Sequence, residues 1–141
     1  MTREQITALF MRRYEHWNRR DTAALVQDLS ENSVVESPFA GGSARGRAAI
    51  EEVHKNFFHA FPDAHLVLED LLIDGDRVMM IGRLSGTDSG GFMGLAATGR
   101  SFEISIASLY QLTNGLIVHE RRIYDFTGLL VQVGAIKAKP V

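Results

Sequence analysis

The sequence predicts an α+β fold in which helices come first and a long antiparallel meander comes last. Three features carry this reading. Apolar residues recur at helical spacing as far as Pro62, strict alternation takes over after Ala64, and two tight-turn dipeptides, Asp74-Gly75 and Asn114-Gly115, punctuate the second half. The 141 residues suit one domain spanning 1–141.

Thr2 with Gln5 fits a capping box, in which each side chain satisfies a free N–H of the first helical turn. Ile6, Leu9, Phe10, Tyr14 and Trp17 then keep helical spacing, so an amphipathic helix runs to about Trp17. Asp21 is a candidate N-cap for a shorter helix carrying Ala24, Leu25 and Leu29. Trp17 and Tyr14 serve either the core or, through their polar tips, a cavity.

Ser33 to Pro38 reads as a short strand ended by a proline that cannot donate to a ladder. Phe39 to Ser43 is a loop by composition. A third helix follows Gly46, with Ile50, Val53, Phe57 and Phe61 on one stripe and Pro62 as its stop. Strands then run over His65–Asp74, Arg77–Gly86 and Phe102–Tyr110, with a glycine-rich loop from Thr87 to Gly99. That loop is no phosphate cradle, because no lysine follows it and no strand-to-helix turn surrounds it. The Asn114-Gly115 hairpin delivers a fourth long strand, and Thr127 is a candidate cap for a final helix stopped by Gly134.

Composition removes several function classes. The formal net charge is −2, which gives no electrostatic case for nucleic acid or an anionic membrane. There are no cysteines, so disulfides, thiolate metal sites and a cysteine nucleophile are excluded. His54 and His59 stand five apart and do not share a helix face, and no other histidine pair has ligand spacing, so no metal is expected. No apolar run approaches the length of a membrane span, and the N-terminus is polar, so the expected location is cytoplasmic.

The stretch with most chemical character is Val118 to Leu130. Counting alternation from the turn places Ile117, His119, Arg121, Ile123 and Asp125 on one face. Asp125 is followed at once by Phe126, Leu129, Leu130 and Val133, neighbours that strip hydration from a carboxylate and suit it to proton transfer. The competing reading is that Asp125 caps a short C-terminal helix. Arg121 lies ~13 Å from Asp125 along an extended strand, too far for a direct pair.

The ordered motifs Phe61-Pro62-Asp63, Asp74-Gly75-Asp76-Arg77-Val78, Gly86-Thr87, Phe92-Met93-Gly94, Thr98-Gly99-Arg100, Gly115-Leu116-Ile117 and Asp125-Phe126-Thr127-Gly128-Leu129 resemble those of the SnoaL-like polyketide cyclases, in the nuclear transport factor 2-like superfamily. The resemblance implies a cone-shaped α+β barrel, a strongly curved antiparallel sheet wrapped around the N-terminal helices with a pocket between them. It implies a homodimer and a cofactor-independent lyase or isomerase that closes a ring on a small hydrophobic carbonyl substrate by acid/base chemistry. Asp125 matches the family's catalytic aspartate, and Arg121 is its candidate oxyanion partner. Trp17, Tyr14, Phe57, Phe61, Ile123, His119 and Asp88 are the candidate substrate-binding residues. Three positions depart from the pattern. Asp88 stands where many relatives carry histidine, Glu36-Ser37 replaces a His-Asp pair, and Arg121 replaces an aromatic residue. Related folds also carry epoxide hydrolases, isomerases, dehydratases and hydroxylases, or bind small molecules without catalysis, so the fold alone does not choose the chemistry.

Overall fold

The computed structural model of the chain describes residues 1–138. Helix α1 (Arg3–Asn18) opens with the reciprocal cap expected at Thr2: the Gln5 N–H donates to Thr2 Oγ1 at 3.1 Å and the Thr2 N–H to Gln5 Oε1 at 2.8 Å. Helix α2 (Thr22–Gln27) is capped by Asp21, whose carboxylate accepts from the Ala24 N–H at 3.0 Å. Strand β1 (Leu29–Ser37), a short 3₁₀ turn over Pro38–Ala40 and strand β2 (Gly42–Arg45) lead to helix α3 (Arg47–Ala60). The meander follows as β3 (His65–Asp74), β4 (Arg77–Thr87), β5 (Ser101–Thr113) and β6 (Leu116–Tyr124), and helix α4 (Phe126–Gln132) closes the fold.

The strands form one open sheet in the order β2-β1-β6-β5-β4-β3. Each neighbouring pair from β3 to β6 is antiparallel: Asp74-Gly75 and Asn114-Gly115 make the β3–β4 and β5–β6 hairpins, and the long loop after Thr87 returns the chain for β4–β5. The expectation of a wholly antiparallel sheet is corrected at one place: β1 runs parallel to β6, so the sheet is mixed. That pairing joins residues some 85 positions apart in sequence (Val34 with His119), and no local turn announces it. Strand β2, expected as loop, pairs with β1 because Gly41 (φ 70°) and Gly42 (φ 114°) reverse the chain.

Helices α1, α2 and α3 cover the inner face of the sheet. Ile6, Leu9 and Phe10 of α1, Leu25 of α2 and Ile50 and Phe58 of α3 meet Val78, Leu84, Ile104, Ile106 and Leu112 of the sheet in one core. The end of α1 is tied to the start of β3 by Asn18, whose amide both donates to the Leu66 carbonyl and accepts from the Leu66 N–H, each at 2.9 Å. Where β6 stops, α4 takes over the free edge of β5: the Gln132 side chain bonds the Glu103 N–H at 2.8 Å and its carbonyl at 3.2 Å. Among the described residues no helix is long and apolar enough to cross a membrane.

Candidate functional site

Between the helices and the sheet lies a cavity of about 850 Å³, counting the space open to solvent. Most of its wall is apolar: Phe10, Tyr14 and Trp17 from α1, Phe57 from α3, Phe39 from the 3₁₀ turn, and Leu66, Leu71, Met80 and Ile106 from the sheet. The aromatic part is continuous, since the Trp17 and Phe57 ring centroids lie 5.9 Å apart and those of Phe39 and Phe57 5.2 Å apart.

Against this wall the sheet and two helices place a polar cluster. Strand β6 presents Glu120, Arg122 and Tyr124, β5 presents Ser108 and Tyr110, α1 presents Arg13 and α3 presents His54. Arg122 grips Glu120 with two hydrogen bonds, Nε to Oε2 at 2.7 Å and Nη2 to Oε1 at 3.2 Å. The Arg122 Nη2 also lies 3.4 Å from His54 Nε2. A guanidinium only donates, so His54 accepts there and carries its proton on Nδ1. Arg13 donates from Nη1 to the Leu25 carbonyl at 2.7 Å and lies 3.4 Å from Asp28 Oδ2.

The electrostatics follow from burial and from this one pair. Burial by itself would push the Glu120 carboxyl up, but the charge and hydrogen bonds of Arg122 outweigh it and hold the group at about 2. Burial, then the Arg122 charge, lowers His54 to about 3, so the ring is a neutral imidazole at physiological pH. Burial and the neighbouring Glu120 charge raise the Tyr110 phenol, which stays protonated. The cluster is therefore a carboxylate and a guanidinium in contact, flanked by neutral donors and acceptors. Among the described residues no three His, Asp or Glu side chains converge as metal ligands would.

The residues singled out from the sequence divide between this cavity and other places. Trp17, Tyr14 and Phe57 line it. Phe61 is fully buried behind them, 4.9 Å from the Phe57 ring. Asp88 is buried in the loop after β4, where it accepts from the Gly91 N–H and from the N–H and hydroxyl of Thr98, so it shapes that loop and not the cavity. His119 lies on the other face of the sheet, 2.7 Å from Glu36, and Arg121 and Ile123 are exposed there too. Asp125 is exposed and caps α4, accepting from the Gly128 N–H at 2.8 Å. The expectation of a desolvated Asp125 and of Ile123 as a substrate-binding residue is thus corrected; the competing reading holds, and Asp125, not Thr127, caps the helix.

The cause is one bulge. Leu112 pairs with Ile117 while Gln111 pairs with His119, so Val118 is an extra residue on β6. Beyond it the alternation is inverted: Ile117 and Glu120 both face inward although they stand three positions apart. Counting from the turn without the bulge assigns every later side chain to the wrong face. Arg13 and His54 were also missed. Their signal was present, as each interrupts an apolar stripe: Arg13 among Ile6, Phe10 and Trp17, His54 among Ile50, Phe57 and Phe61.

An open sheet covered on one face by helices, with a charged pair buried in an aromatic cavity, defines a pocket protein of the nuclear transport factor 2-like and ketosteroid isomerase-like fold. The chain belongs to the SnoaL-like polyketide cyclase family, whose model matches residues 8–133. Among solved structures it is similar to IdmH of Streptomyces antibioticus, a proposed polyketide cyclase, at 29% identity and TM-score 0.73, over 93% of this chain and 96% of that one. It shares its fold with AclR of Streptomyces galilaeus, a proposed hydroxylase, at 24% identity and TM-score 0.81, over 97% and 85% of the two chains. It shares it also with a protein of ketosteroid isomerase-like fold from Catenulispora acidiphila, at 18% identity and TM-score 0.77, over 99% and 100%. No curated protein matches.

Proposed function

We propose that the chain is a cofactor-independent acid/base enzyme of the polyketide-cyclase type, acting on a small hydrophobic carbonyl compound. The observation that carries this is the buried Glu120–Arg122 pair, set with neutral His54 into an otherwise aromatic cavity. The apolar wall suits a flat carbon skeleton, and the pair supplies a base and a cation side by side.

In this reading Glu120 takes the proton from a carbon next to a carbonyl, and the enolate charge gathers on the oxygen beside Arg122. The enolate carbon then attacks a second carbonyl of the same molecule, and the alkoxide recovers the proton from Glu120. One C–C bond forms and charge and protons balance. Glu120 is a better base than its resting state suggests, because Arg122 holds its proton affinity down. An enolate oxygen on Arg122 offsets that hold as the proton arrives. His54 is the weaker candidate, since protonating it would add a cation beside Arg122 and Arg13 in a desolvated site. Its role is to orient Arg122 through Nη2.

The test is deuterium uptake at the α-carbons of 2-tetralone, followed by NMR. The wild type should accelerate uptake over buffer, and Glu120→Gln should lose ~10²–10⁴-fold of that acceleration while remaining folded. No acceleration by the wild type, or full activity in Glu120→Gln, overturns the reading.

The proposal includes a homodimer on the outer sheet face. Exposed Val67, Leu72 and Ile123 flank the half-buried Met79 and Ile81 there, which is more apolar surface than a solvated sheet face needs. A monomer by light scattering at micromolar concentration would count against this part alone.

A further inference from the structure

Among the buried polar side chains of the cavity to which the acid/base reading gives no task, Ser108 stands nearest to the charged pair in the sheet. Ser108 is 1% exposed, lines the cavity, and stands directly across the β5–β6 ladder from Arg122. Cross-strand partners on one face bring their Cβ atoms within about 4.5–5.5 Å. The Ser108 hydroxyl makes no hydrogen bond to any described residue. The same is true of Arg122 Nη1, although Nε and Nη2 of that guanidinium are committed to Glu120 and His54. A hydroxyl and a guanidinium N–H group are therefore paired across the ladder on the wall of one cavity, both able to donate to a bound oxygen. Both side chains line the cavity, so an oxygen of a bound molecule can supply the partner that the protein does not.

We propose that Ser108 Oγ and Arg122 Nη1 form a two-donor cradle for a single ligand oxygen, which makes Ser108 a residue that selects an acidic hydroxyl or enol on a flat apolar skeleton. Glu120 and Tyr110 lie one step along the same two strands, since they pair with each other in the next inward position of the ladder. A ligand oxygen in the cradle therefore has the carboxylate within reach of its neighbouring carbon and the aromatic wall of Trp17, Phe57 and Phe39 for its ring. That the oxygen is a developing enolate rests on the acid/base reading. That the cradle prefers an oxygen does not.

The experiment compares 4-chlorophenol with 4-chlorotoluene, in which a methyl group replaces the hydroxyl, by calorimetric titration of the wild type and Ser108→Ala. The wild type should bind the phenol at least about tenfold tighter. Ser108→Ala should weaken the phenol by roughly threefold to thirtyfold and leave 4-chlorotoluene unchanged. Its melting temperature should not fall, because the lost hydroxyl had no partner. Equal losses for both compounds, no loss for either, a lowered melting temperature with the phenol affinity intact, or no binding of 4-chlorophenol to the wild type would each overturn the cradle. The two readings fail separately. Phenol preference that depends on Ser108, without tetralone exchange, rejects the enzyme and keeps the cradle. Exchange that is indifferent to Ser108 does the reverse.

Discussion

Strand β6 carries a contact between a basic and an acidic side chain on each face, and the two are alike in length. Inside the cavity, Arg122 meets Glu120 at 2.7 Å with side chains 14% and 3% exposed. On the outer face, His119 meets Glu36 at 2.7 Å with side chains 40% and 48% exposed. Distance does not separate them, so their difference comes from the medium. Outside, water and salt screen the attraction, and such pairs contribute ~0–1 kcal/mol. Inside, each charge has lost its hydration and depends on the other, which is why the inner pair controls the proton affinity of Glu120. A functional reading of β6 therefore turns on which face a residue takes, more than on its type.

The largest expected effect is from removing one member of the inner pair. Arg122→Leu leaves Glu120 buried and uncompensated and should cost about 3–5 kcal/mol in urea denaturation. The same change at the exposed neighbour, Arg121→Leu, should stay within about 0.5 kcal/mol. The double variant Glu120→Leu/Arg122→Leu should recover most of the loss, because apolar side chains replace both charges together. If Arg122→Leu costs less than about 1 kcal/mol, the inner pair is hydrated and the contrast between the faces collapses.

Acid should find the same weakness by another route. His54 is held at about 3 against an ordinary 6.5, so the unfolded chain binds a proton that the folded one refuses. Stability from this group is complete above pH 6.5 and is lost as pH falls towards 3. Glu120, held at about 2 against 4.5, adds a loss of the same sign below pH 4.5. At pH 4 the histidine alone should remove ~3 kcal/mol. Tyr110 acts at the other end: its raised proton affinity keeps it neutral above pH 10, so stability falls as pH rises beyond that. Thermal melting that is flat from pH 7 to pH 4 would show that His54 is free to charge.

How much of this could be read beforehand depended on the range of the cause. The caps at Thr2 and Asp21 and the hairpins at Asp74-Gly75 and Asn114-Gly115 are local, a few residues setting their own geometry, and they were legible. Trp17, Tyr14 and Phe57 reached the cavity because helical spacing survives to the end of α1 and α3. The pairing of β1 with β6 is long-range, and β2 is four residues with no alternation, so neither left a local trace. The bulge at Val118 is the instructive case. It is one residue long, it carries no glycine, and it sends Glu120 and Arg122 inward while Arg121 and Ile123 go out.

Asp125 gives the smallest and sharpest test of that inversion. Its carboxylate is spent on the first turn of α4, and Gly128 is required for this, because a Cβ there would collide with Asp125 Oδ2. Asp125→Ala removes the cap and should cost ~1 kcal/mol, whereas Asp125→Asn retains an accepting oxygen and should cost a few tenths at most. Neither should change tetralone exchange by more than about twofold, against the ~10²–10⁴-fold expected for Glu120→Gln. The informative variant is Asp125→Asn, since it separates charge from capping. A folded Asp125→Asn protein that loses more than tenfold of its exchange rate would return the acid/base role to the end of β6. It would then require that α4 unwind from its cap in the working enzyme, because in the capped arrangement Asp125 lines no part of the cavity.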